Sequence, residues 1–558
     1  MKLLRLVFHE YRWSIALVLG LSLGSALLSV AVIAFINQRM LTPASSPGVA
    51  LGQFVALLAL LLVLASAAQL SLTALGHRFV YRMRRALVKR VLDTSIERLE
   101  IIGGSNIIAS LSSDIRNITL AFVHLPELIY GSVLTLAAFA YLAWLSPGLF
   151  VTTLLWMSFT VGVGWLLVGR LNHHLRMLRE SEDRLYGDYQ AVIDGRKELT
   201  LNRDRAQRLY EDEFDLSARA YRDHVTLADR YHGLASNWAN IMVLGTIGLV
   251  FYLANGLGWA STAVASTYAL TILFMRTPLV SAVAAIPTQI AGRVALDKVE
   301  SLALAPHVEA FEHPADPLSG QWRVLELHEV EYRYPAQDGE PGFDVGPVSL
   351  RLERGETVFL VGGNGSGKST LARLLTGLYI PQRGEIRIDG RVLGPQEWPA
   401  YRQLFASVFT DYHLFSQLLG PRGVAASDEE LEHWLGSLHI RHKVQVAAGR
   451  LRDTRLSAGQ RKRLALLLAL LEARDILLLD EWAADQDPLF RQVFYRELLP
   501  QLKAAGKTVF AISHDDHYFD QADRLLKMDG GLLHELHGEH RVRASRNALL
   551  EIGGAAHS

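Results

Sequence analysis

A glycine-rich segment that ends in a lysine and two hydroxyl residues is the part of this sequence best suited to chemistry. An apolar run, 357–361, precedes it and a run with helical spacing, 371–375, follows it, so the order is strand, loop, helix. In that context the pattern G-x-x-x-x-G-K-[ST] predicts a phosphate-binding loop, because backbone N–H groups and a helix N-terminus converge on an anion. We expect Lys368 to reach the β- and γ-phosphates and Ser369 to bind Mg²⁺; the alternative is a turn without a ligand. The segment comprises Gly362, Gly363, Asn364, Gly365, Ser366, Gly367, Lys368, Ser369 and Thr370.

Acidic and imidazole side chains stand at the ends of two further apolar runs. The run 476–480 ends in Asp480 and is followed by Glu481, and His514 follows shortly after the run 508–512. Open α/β sheets bind ligands at the carboxyl ends of their strands, which favours a site over the alternative of surface acids and a core histidine. We expect Asp480 to hold the Mg²⁺ shell and Glu481 to position or deprotonate the attacking water. His514 is then placed to contact the γ-phosphate and that water.

Two other features are compatible with a nucleotide. Ser457 is a suitable N-cap for a long helical pattern and Gly459 permits close backbone approach, so a second helix N-terminus is predicted to face an anion. Tyr334 ends a short strand pattern upstream of the glycine loop, where its ring can stack on adenine; the alternative is a core aromatic residue. The segment around Ser457 comprises Leu456, Ser457, Ala458, Gly459 and Gln460.

The composition limits the class of protein. With 558 residues the chain is too long for one core, so two or three domains are expected. Lys plus Arg and Asp plus Glu are both 56, which argues against a nucleic-acid-binding protein. The sequence contains no cysteine, which excludes disulfides, thiolate zinc sites and cysteine nucleophiles. The mean hydropathy is +0.18, and the apolar excess lies in the first 290 residues.

The apolar runs in this first part are long enough to cross a membrane. A helix needs about 20 residues to cross the hydrocarbon core, and buried helices of a soluble protein do not account for runs of this length and number. Lys and Arg cluster before the first run and after the second, which predicts that both termini and the connections 77–126 and 170–239 are cytoplasmic. Those connections have one apolar face and glycine breaks near 103–105 and 195–198, so we expect helical hairpins that contact a soluble domain. The predicted spans are 13–36, 51–75, 127–146, 148–169, 240–259 and 261–286.

The order of these motifs resembles a known family. The phosphate loop, Leu-Ser-x-Gly-Gln, Asp-Glu and His follow one another as in the nucleotide-binding domain of ABC transporters. Six spans with long cytoplasmic connections resemble the exporter type, so the resemblance covers nearly the whole chain. It implies an all-α six-helix transmembrane domain followed by an α/β P-loop ABC nucleotide-binding domain. The expected boundaries are 1–290 for the transmembrane domain, 291–322 for a linker, 323–545 for the ATPase domain and 546–558 for a tail.

The resemblance also assigns roles to particular residues. Asp487 corresponds to the aspartate of the loop after the catalytic glutamate, which implies a place in the ATP site. Segments 103–118 and 195–203 are similar to the coupling segments of exporters. Thr410 stands where most of the family has a glutamine that touches Mg²⁺, so either Thr410 or Asp411 would take that role through water. The short stretch that follows implies a trimmed helical subdomain.

Several stretches resemble the branch of exporters that carries lipopeptide toxins, peptide siderophores and lasso-peptide microcins, with the greatest similarity to the microcin exporter of enteric bacteria. This resemblance implies ATP-driven export of a peptide-like cargo across the bacterial inner membrane by alternating access. A lipid or multidrug exporter or flippase shares every motif and is the alternative. Arg276, in the sixth span beside Pro278, either faces an aqueous cavity and meets a carboxylate on the cargo or pairs with the protein near a helix end. The stretches are 35–39, 195–203, 480–488 and 513–519.

The number of nucleotide-binding motifs in the chain indicates how many copies form a complete site. In the family, ATP lies between the phosphate loop of one domain and the Leu-Ser-x-Gly-Gln segment of another, and this chain has one of each. The resemblance therefore implies a homodimer with ATP and Mg²⁺ as ligands. The expected partners are a second copy, the peptide-like cargo and membrane lipid; an outer-membrane channel is left open and nucleic acid is excluded. The six spans argue against a soluble ABC ATPase.

Overall fold

The computed structural model describes residues 2–40, 47–306, 308, 311, 318, 322–334, 342–452 and 456–538. The chain divides into two compact units. One unit holds Met1–Val88 and Ser105–Ala303, and the other holds Lys89–Gly104 and Leu304–Ser558. The tail predicted at 546–558 and part of the predicted linker lie outside the described residues.

Long helices dominate the first 301 residues. The α-helices of this part, long and short, are α1 (Lys2–Phe35), α2 (Pro47–Asp93), α3 (Ile96–Ile102), α4 (Gly104–Ala109), α5 (Ile115–Leu145), α6 (Pro147–Asp194), α7 (Arg196–Leu201), α8 (Arg203–Arg208), α9 (Asp215–Phe251) and α10 (Thr262–Ser301). Among the described residues, 6 helical stretches are long and apolar enough to cross a membrane. Each predicted span coincides with one of them, although the fifth stretch ends at Gly256 rather than at 259. The prediction of a six-helix membrane domain is confirmed.

Helices α5 and α10 approach each other closely at Gly131. A Cβ atom built on Gly131 would lie 2.3 Å from the carbonyl oxygen of Pro278 and 2.7 Å from the Cβ atom of Ala282. Only glycine therefore admits this approach of the two backbones. Small residues serve the same purpose in many membrane helix pairs, where van der Waals packing replaces the hydrophobic effect.

Helices α6 and α9 are joined by two tryptophan side chains. The indole Nε1 of Trp156 on α6 donates to the carbonyl oxygen of Met242 on α9 at 3.1 Å. The indole of Trp238 on α9 donates in the opposite direction, to the carbonyl oxygen of Thr160 on α6 at 3.0 Å. Gly245 leaves space for the first ring, since a Cβ atom there would lie 3.0 Å from Trp156. Donor and acceptor are one helical turn apart on each helix, so the two bonds form a reciprocal pair.

Helix α10 continues to Ser301, so the domain boundary predicted at 290 falls inside a helix. The sequence prediction marked the end of the apolar run, which is not the end of the helix. Ala295 and Val299 remain buried on one face. On the polar side, Lys298 pairs with Asp114 at 3.5 Å, and this amphipathic pattern continues the helix beyond the apolar run.

The first segment of the second unit is Lys89–Gly104, which lies in sequence between the two segments of the first unit. Arg90 donates from Nε to the carbonyl oxygen of Ala305 at 2.8 Å and from Nη2 to that of Leu304 at 3.1 Å. The Ala305 N–H donates to Thr94 Oγ1 at 2.9 Å. These bonds attach the end of α2 to the chain that follows α10.

The rest of the second unit is an α/β domain. Its strands are β1 (Val324–Arg333), β2 (Asp344–Glu353), β3 (Thr357–Val361), β4 (Arg383–Ile388), β5 (Arg391–Val392), β6 (Phe405–Val408), β7 (Val446–Ala447), β8 (Arg450–Leu451), β9 (Ile476–Asp480), β10 (Thr508–Ile512), β11 (Arg524–Asp529) and β12 (Leu532–Glu535). Its helices are α11 (Lys368–Leu375), α12 (Trp398–Arg402), α13 (Asp428–Ser437), α14 (Ala458–Leu471), α15 (Pro488–Val493) and α16 (Leu499–Ala504). The strands form a sheet of order β12-β11-β3-β10-β9-β6, a sheet of order β2-β1-β4-β5 and a β7-β8 hairpin.

The larger sheet is parallel except for its edge strand β12. Strands β9 and β10 are buried at every position, as expected for parallel strands covered on both faces. Ile512 at the end of β10 pairs with Leu360 of β3 on one side and with Asp480 of β9 on the other. The segments that follow these three strands therefore emerge together at one edge of the sheet.

The stretch between β6 and α14 is the one for which the sequence predicts a trimmed helical subdomain. The described part of this stretch contains one α-helix, α13, and the β7-β8 hairpin. Ser427 caps α13 by accepting a hydrogen bond from the Glu430 N–H at 3.2 Å. Leu431 and Leu435 attach the helix to the core that also holds Leu464 of α14.

Candidate nucleotide-binding site

The loop between β3 and α11 has a backbone that requires glycine. Gly362 has a φ of 153°, and a Cβ atom there would lie 2.3 Å from the Met528 carbonyl oxygen and 2.8 Å from Ser366 Oγ. Gly367 precedes α11 with a φ of 102° in the left-handed region. These conformations direct the loop toward the N-terminus of α11, whose free N–H groups favour an anion.

Lys368 folds back over this loop. Its ammonium group donates to the carbonyl oxygens of Gly362 and Gly363, each at 2.8 Å. Burial lowers the pKa of Lys368, and the carboxylates of Glu481 and Asp480 oppose that shift. A phosphate group bound in the loop would offer this cation a charged acceptor in place of two neutral carbonyls.

Asp480 has the environment of a cation ligand. The residue is 2% exposed, and its Oδ1 atom has no hydrogen-bond partner among the described residues. The Ser369 hydroxyl donates to the same carboxyl group, while burial and the charge of Glu481 raise the pKa of Asp480. A buried carboxylate oxygen without a partner, beside a serine hydroxyl, fits Mg²⁺, which takes oxygen ligands.

Glu481 and His514 meet at the edge of the sheet. His514 Nε2 lies 3.2 Å from Glu481 Oε1. The backbone of Glu481 has a φ of 48°, so it turns sharply out of β9. Its N–H donates to the Ile512 carbonyl at 3.1 Å, and Lys462 Nζ donates to its carbonyl at 2.9 Å. The side chain is thereby aimed at His514, within reach of the phosphate loop.

A pocket of about 550 Å³ surrounds the loop, and its lining includes two aromatic rings, Tyr334 and Phe343. Tyr334 is the ring that the sequence predicted beside adenine. Phe343 and Arg373 also line the pocket but were not predicted from the sequence; Arg373 has no local signal beyond its place in α11. The lining comprises Tyr334, Phe343, Asn364, Gly365, Ser366, Gly367, Lys368, Ser369, Thr370, Arg373 and Glu481.

The segment Leu456–Gln460 caps its own helix. Ser457 Oγ accepts from the Gln460 N–H at 3.3 Å, and Gln460 Oε1 accepts from the Ser457 N–H at 3.2 Å. Gly459 is needed for a contact within the chain, since a Cβ atom there would lie 2.7 Å from the Asp485 carbonyl oxygen. As far as the described residues show, this segment does not line the pocket of the phosphate loop.

Asp487 is likewise a capping residue in this structure. Its Oδ1 atom accepts from the Phe490 N–H at 2.9 Å at the start of α15, and its Oδ2 atom lies 2.6 Å from Arg463. The hydrogen bond from Phe490, together with Arg463, lowers the pKa of Asp487. Within the described residues, Asp487 is not part of the pocket lining.

Thr410 and Asp411 follow β6 at the same edge of the sheet. Val408 of β6 pairs with Leu479 of β9, so the chain leaves the sheet beside Asp480. Neither Thr410 nor Asp411 lines the pocket in the described part of the chain. Their predicted role at the metal therefore depends on a bridging water.

Arg276 lies in the first unit, on α10. Its guanidinium Nη2 donates to the side-chain oxygen of Asn240 on α9. The side chain is exposed and also pairs with a protein group. Both alternatives predicted for Arg276, an aqueous cavity and pairing with the protein, therefore remain compatible with the structure.

The contact between the connection 77–126 and the α/β domain lies earlier in the chain than predicted. The predicted segment was 103–118, but the contacting residues are Glu97 and Glu100 on α3, which ends at Gly103. The Ile380 N–H donates to Glu97 Oε1 at 3.2 Å, and Arg373 pairs with Glu100 at 3.5 Å. The glycines mark the end of the contacting helix rather than its beginning, because Gly103 has a φ of 81°.

Comparisons with known proteins extend these observations to the whole chain. The model of the ABC transporter family matches residues 345–484. The ATP-binding protein SyrD of Pseudomonas syringae pv. syringae is 33% identical over 545 residues, which are 95% of each chain. An ATP-dependent lipid A-core flippase of Alkalilimnicola ehrlichii is 26% identical over 85% of this chain and 81% of its own. A lipid A-core flippase of Burkholderia pseudomallei is 24% identical over 93% of this chain and 85% of its own.

The fold also matches a solved structure. A bacterial Atm1-family ABC exporter with ATP bound superposes with a TM-score of 0.69 at 19% identity, covering 100% of this chain and 99% of that chain. At this identity the match supports the fold alone. The full-length similarity to SyrD, together with the match of the ABC transporter family model, identifies the family. The chain belongs to the ABC transporter family, in which it is an exporter-type half-transporter that hydrolyses ATP.

Proposed function

We propose that two copies of this chain form an exporter of a peptide-like cargo in the bacterial inner membrane, driven by ATP. The cargo class is a cyclic or lasso peptide, a lipopeptide or a peptide siderophore. The proposal is supported by the resemblance of 195–203, 480–488 and 513–519 to exporters of such peptides. The convergence of the phosphate loop and Glu481 on one pocket, with Asp480 hydrogen-bonded to Ser369 of that loop, is the observation that carries the ATP-driven part.

The residues at this site have separate roles in binding and hydrolysing ATP. Lys368 and the loop N–H groups bind the phosphates, and Tyr334 stacks on the adenine ring. Asp480 and Ser369 would hold Mg²⁺, with Thr410 or Asp411 acting through water, and the ion would supply positive charge against the phosphates. Glu481 accepts the proton of the attacking water, and His514, at 3.2 Å, holds that carboxylate in place.

A second copy completes each site. The helix N-terminus at Ser457 is capped and does not line the pocket formed by the described residues of its own chain. In a homodimer, the segment Leu456–Gln460 of the other copy covers the γ-phosphate, with Asp487 at the junction. ATP then closes the dimer and hydrolysis opens it, which switches the membrane cavity between inward- and outward-facing states.

The membrane domain receives the cargo. We place both termini on the cytoplasmic side, following the distribution of Lys and Arg. Arg276, which is exposed and bound to Asn240, contacts a carboxylate of the cargo in this proposal. An outer-membrane channel is a further partner for peptides that leave the cell.

Lipid transport is the second candidate function. It is favoured by the similarity to lipid A-core flippases, which extends over 85–93% of this chain at 24–26% identity. Every residue of the ATP site serves that function equally well. The two candidates therefore differ only in what the membrane domain accepts.

ATPase activity in vesicles separates these candidates. The purified full-length protein is reconstituted in phosphatidylcholine vesicles and titrated with a lasso peptide, a cyclic lipopeptide and lipid A. We expect a peptide to stimulate hydrolysis and to accumulate in inside-out vesicles, whereas lipid A leaves the rate unchanged. Stimulation by lipid A alone would replace the peptide proposal by the lipid one.

The variant Glu481→Gln is the matched control for that experiment. It preserves the size and most of the hydrogen bonding of the side chain but cannot accept a proton. We expect it to bind ATP with the wild-type affinity, to show no turnover and to leave the peptide outside the vesicles. Hydrolysis at the wild-type rate would refute the assignment of Glu481 as the base.

A further inference from the structure

A chain of hydrogen bonds connects the nucleotide pocket with helix α3. The Tyr334 hydroxyl lies 3.2 Å from Thr370 Oγ1 in the phosphate loop and donates to the Tyr379 hydroxyl at 3.5 Å. The Tyr379 hydroxyl donates in turn to Glu100 on α3. Arg373 donates to the same Tyr379 oxygen at 2.9 Å. The four side chains Tyr334, Tyr379, Arg373 and Glu100, here called the tyrosine relay, thus join the loop to the helix.

Ring packing fixes the centre of the tyrosine relay. Tyr379 is 1% exposed and stacks on Tyr332, with ring centroids 4.8 Å apart and an interplanar angle of 27°. Tyr334 meets Tyr332 edge-on at 5.1 Å. Burial raises the pKa of Tyr332 to about 12 and raises the pKa of Tyr379 as well, so both phenols stay protonated and able to donate.

The far end of the relay holds α3 firmly. Arg373 pairs with Glu100 at 3.5 Å, and the Ile380 N–H donates to Glu97 at 3.2 Å. Ser95 caps the start of α3, so the helix is a short unit with defined ends. Helix α3 and the α/β domain belong to one compact unit.

We infer that Tyr379 and Glu100 are positioning residues that transmit occupancy of the base site at Tyr334 to helix α3. The inference rests on the proposed stacking of adenine on Tyr334. A base seated on that ring fixes the direction of its hydroxyl, which is shared between Thr370 and Tyr379. The bond from Tyr334 to Tyr379, at 3.5 Å, is the longest in the relay and can shorten or break most easily. Because the same Tyr379 hydroxyl oxygen also bonds Glu100, a change in the first bond alters the second.

The absence of cysteine from the sequence allows a direct test. Ile101 on α3 is 64% exposed, so Ile101→Cys in the full-length protein accepts an environment-sensitive fluorophore. The labelled protein is titrated with ATP, ADP and inorganic tripolyphosphate. We expect ATP and ADP to change the fluorescence and tripolyphosphate, which lacks a base, to displace ATP without that change. An equal response to tripolyphosphate would overturn the inference.

Tyr379→Phe removes the shared oxygen and keeps the ring stack. We expect ATP affinity to stay within about twofold of the wild type and the fluorescence response to fall to about one fifth or less. Glu100→Gln, at a partly exposed position, should give the same loss if Tyr379→Phe folds poorly. Tyr401→Phe is the matched control, because it removes another buried phenol, bonded to the Leu375 carbonyl, and should respond fully.

Two outcomes separate the inference from the function on which it rests. If Tyr334→Ala binds ATP as tightly as the wild type, the base lies elsewhere and the inference falls with that assignment. If Tyr334→Ala loses affinity but Tyr379→Phe and Glu100→Gln respond fully, the base site stands and only the relay is refuted.

Discussion

Glu481 occupies a backbone conformation that its sequence pattern does not reveal. A left-handed residue other than glycine costs about 1–2 kcal/mol, and the bonds from Lys462 and to Ile512 hold Glu481 there. That Asp480, Glu481 and His514 meet was predictable, because parallel strands present their carboxyl ends at one edge. The direction of the Glu481 side chain was not, since it depends on contacts with chain segments distant in sequence.

Replacing Asp480 with Asn should stabilise the nucleotide-free protein and remove its response to Mg²⁺. Burial, together with Glu481, raises the pKa of Asp480, so the folded state favours the neutral carboxyl. Its contribution to stability is present below the ordinary pKa of about 3.9 and is lost as the pH rises through the raised folded value. At alkaline pH we expect thermal unfolding of Asp480→Asn about 2–4 °C higher, the shift that about 1 kcal/mol produces in a domain of this size.

Asp487→Asn is the matched control and has the opposite expected sign. The bond from Phe490 and the charge of Arg463 lower the pKa of Asp487, so its contribution is present above the ordinary pKa and is lost as the pH falls. Asp487→Asn should therefore unfold at a lower temperature than the wild type at alkaline pH. A lower unfolding temperature for Asp480→Asn under the same conditions would contradict the proposed environment of that carboxyl.

Among the elements, the membrane helices were predictable because each contains an apolar run longer than a soluble helix would expose. The ends of these helices were less predictable, since α10 continues on an amphipathic pattern to Ser301 after the apolar run has ended. The contacting helix α3 was missed for a similar reason. Its glycine break was visible, but which side of the break meets the α/β domain depends on Arg373, Tyr379 and Ile380, far along the chain.

Gly131→Ala should loosen the pair α5–α10. The added Cβ atom would lie 2.3 Å from the Pro278 carbonyl oxygen, so the backbones must separate. We expect the free energy of unfolding to fall by about 1–3 kcal/mol, the usual cost of overpacking. Thermal unfolding in detergent measures this change.

Gly162→Ala on α6 is the control, because a Cβ atom there meets nothing within 4 Å. It should leave stability unchanged or raise it slightly, as alanine favours a helix. Equal effects of the two substitutions would show that close packing at Gly131 is unimportant.

For the molecule as a whole, the sequence predicted a second copy by counting motifs, and the separation of Leu456–Gln460 from the described lining of the phosphate-loop pocket supports that proposal. The cargo was not predictable in the same way. Nucleotide binding uses a few side chains at fixed spacing along the chain. Cargo binding uses a cavity assembled from many helices, whose shape no short pattern records.

Mixed dimers of two inactive variants test the shared site. Lys368→Ala disables the phosphate loop, and Ser457→Arg disables the helix N-terminus that the other copy receives. Each variant alone should show no ATPase activity, because both sites of its homodimer are damaged. The mixed dimer, isolated with two different affinity tags, should recover hydrolysis at its one intact site.

An inactive mixed dimer would indicate either that both sites must be intact or that each chain forms its site alone. Lys368→Ala paired with a wild-type chain separates the two, since it also retains one complete site. Activity in that pair but not in the mixed dimer would refute a site shared between copies.

The reciprocal tryptophan bonds between α6 and α9 limit how the membrane domain can change shape. Because Trp156 and Trp238 point across the pair in opposite directions, a slide of either helix along its axis lengthens both bonds at once. Half of the helical pitch of about 5.4 Å would take both indoles out of hydrogen-bonding range. A swing of the two helices together leaves the bonds intact. The two helices are therefore expected to move as one rigid pair, so that a displacement at one end of the pair also displaces the other end.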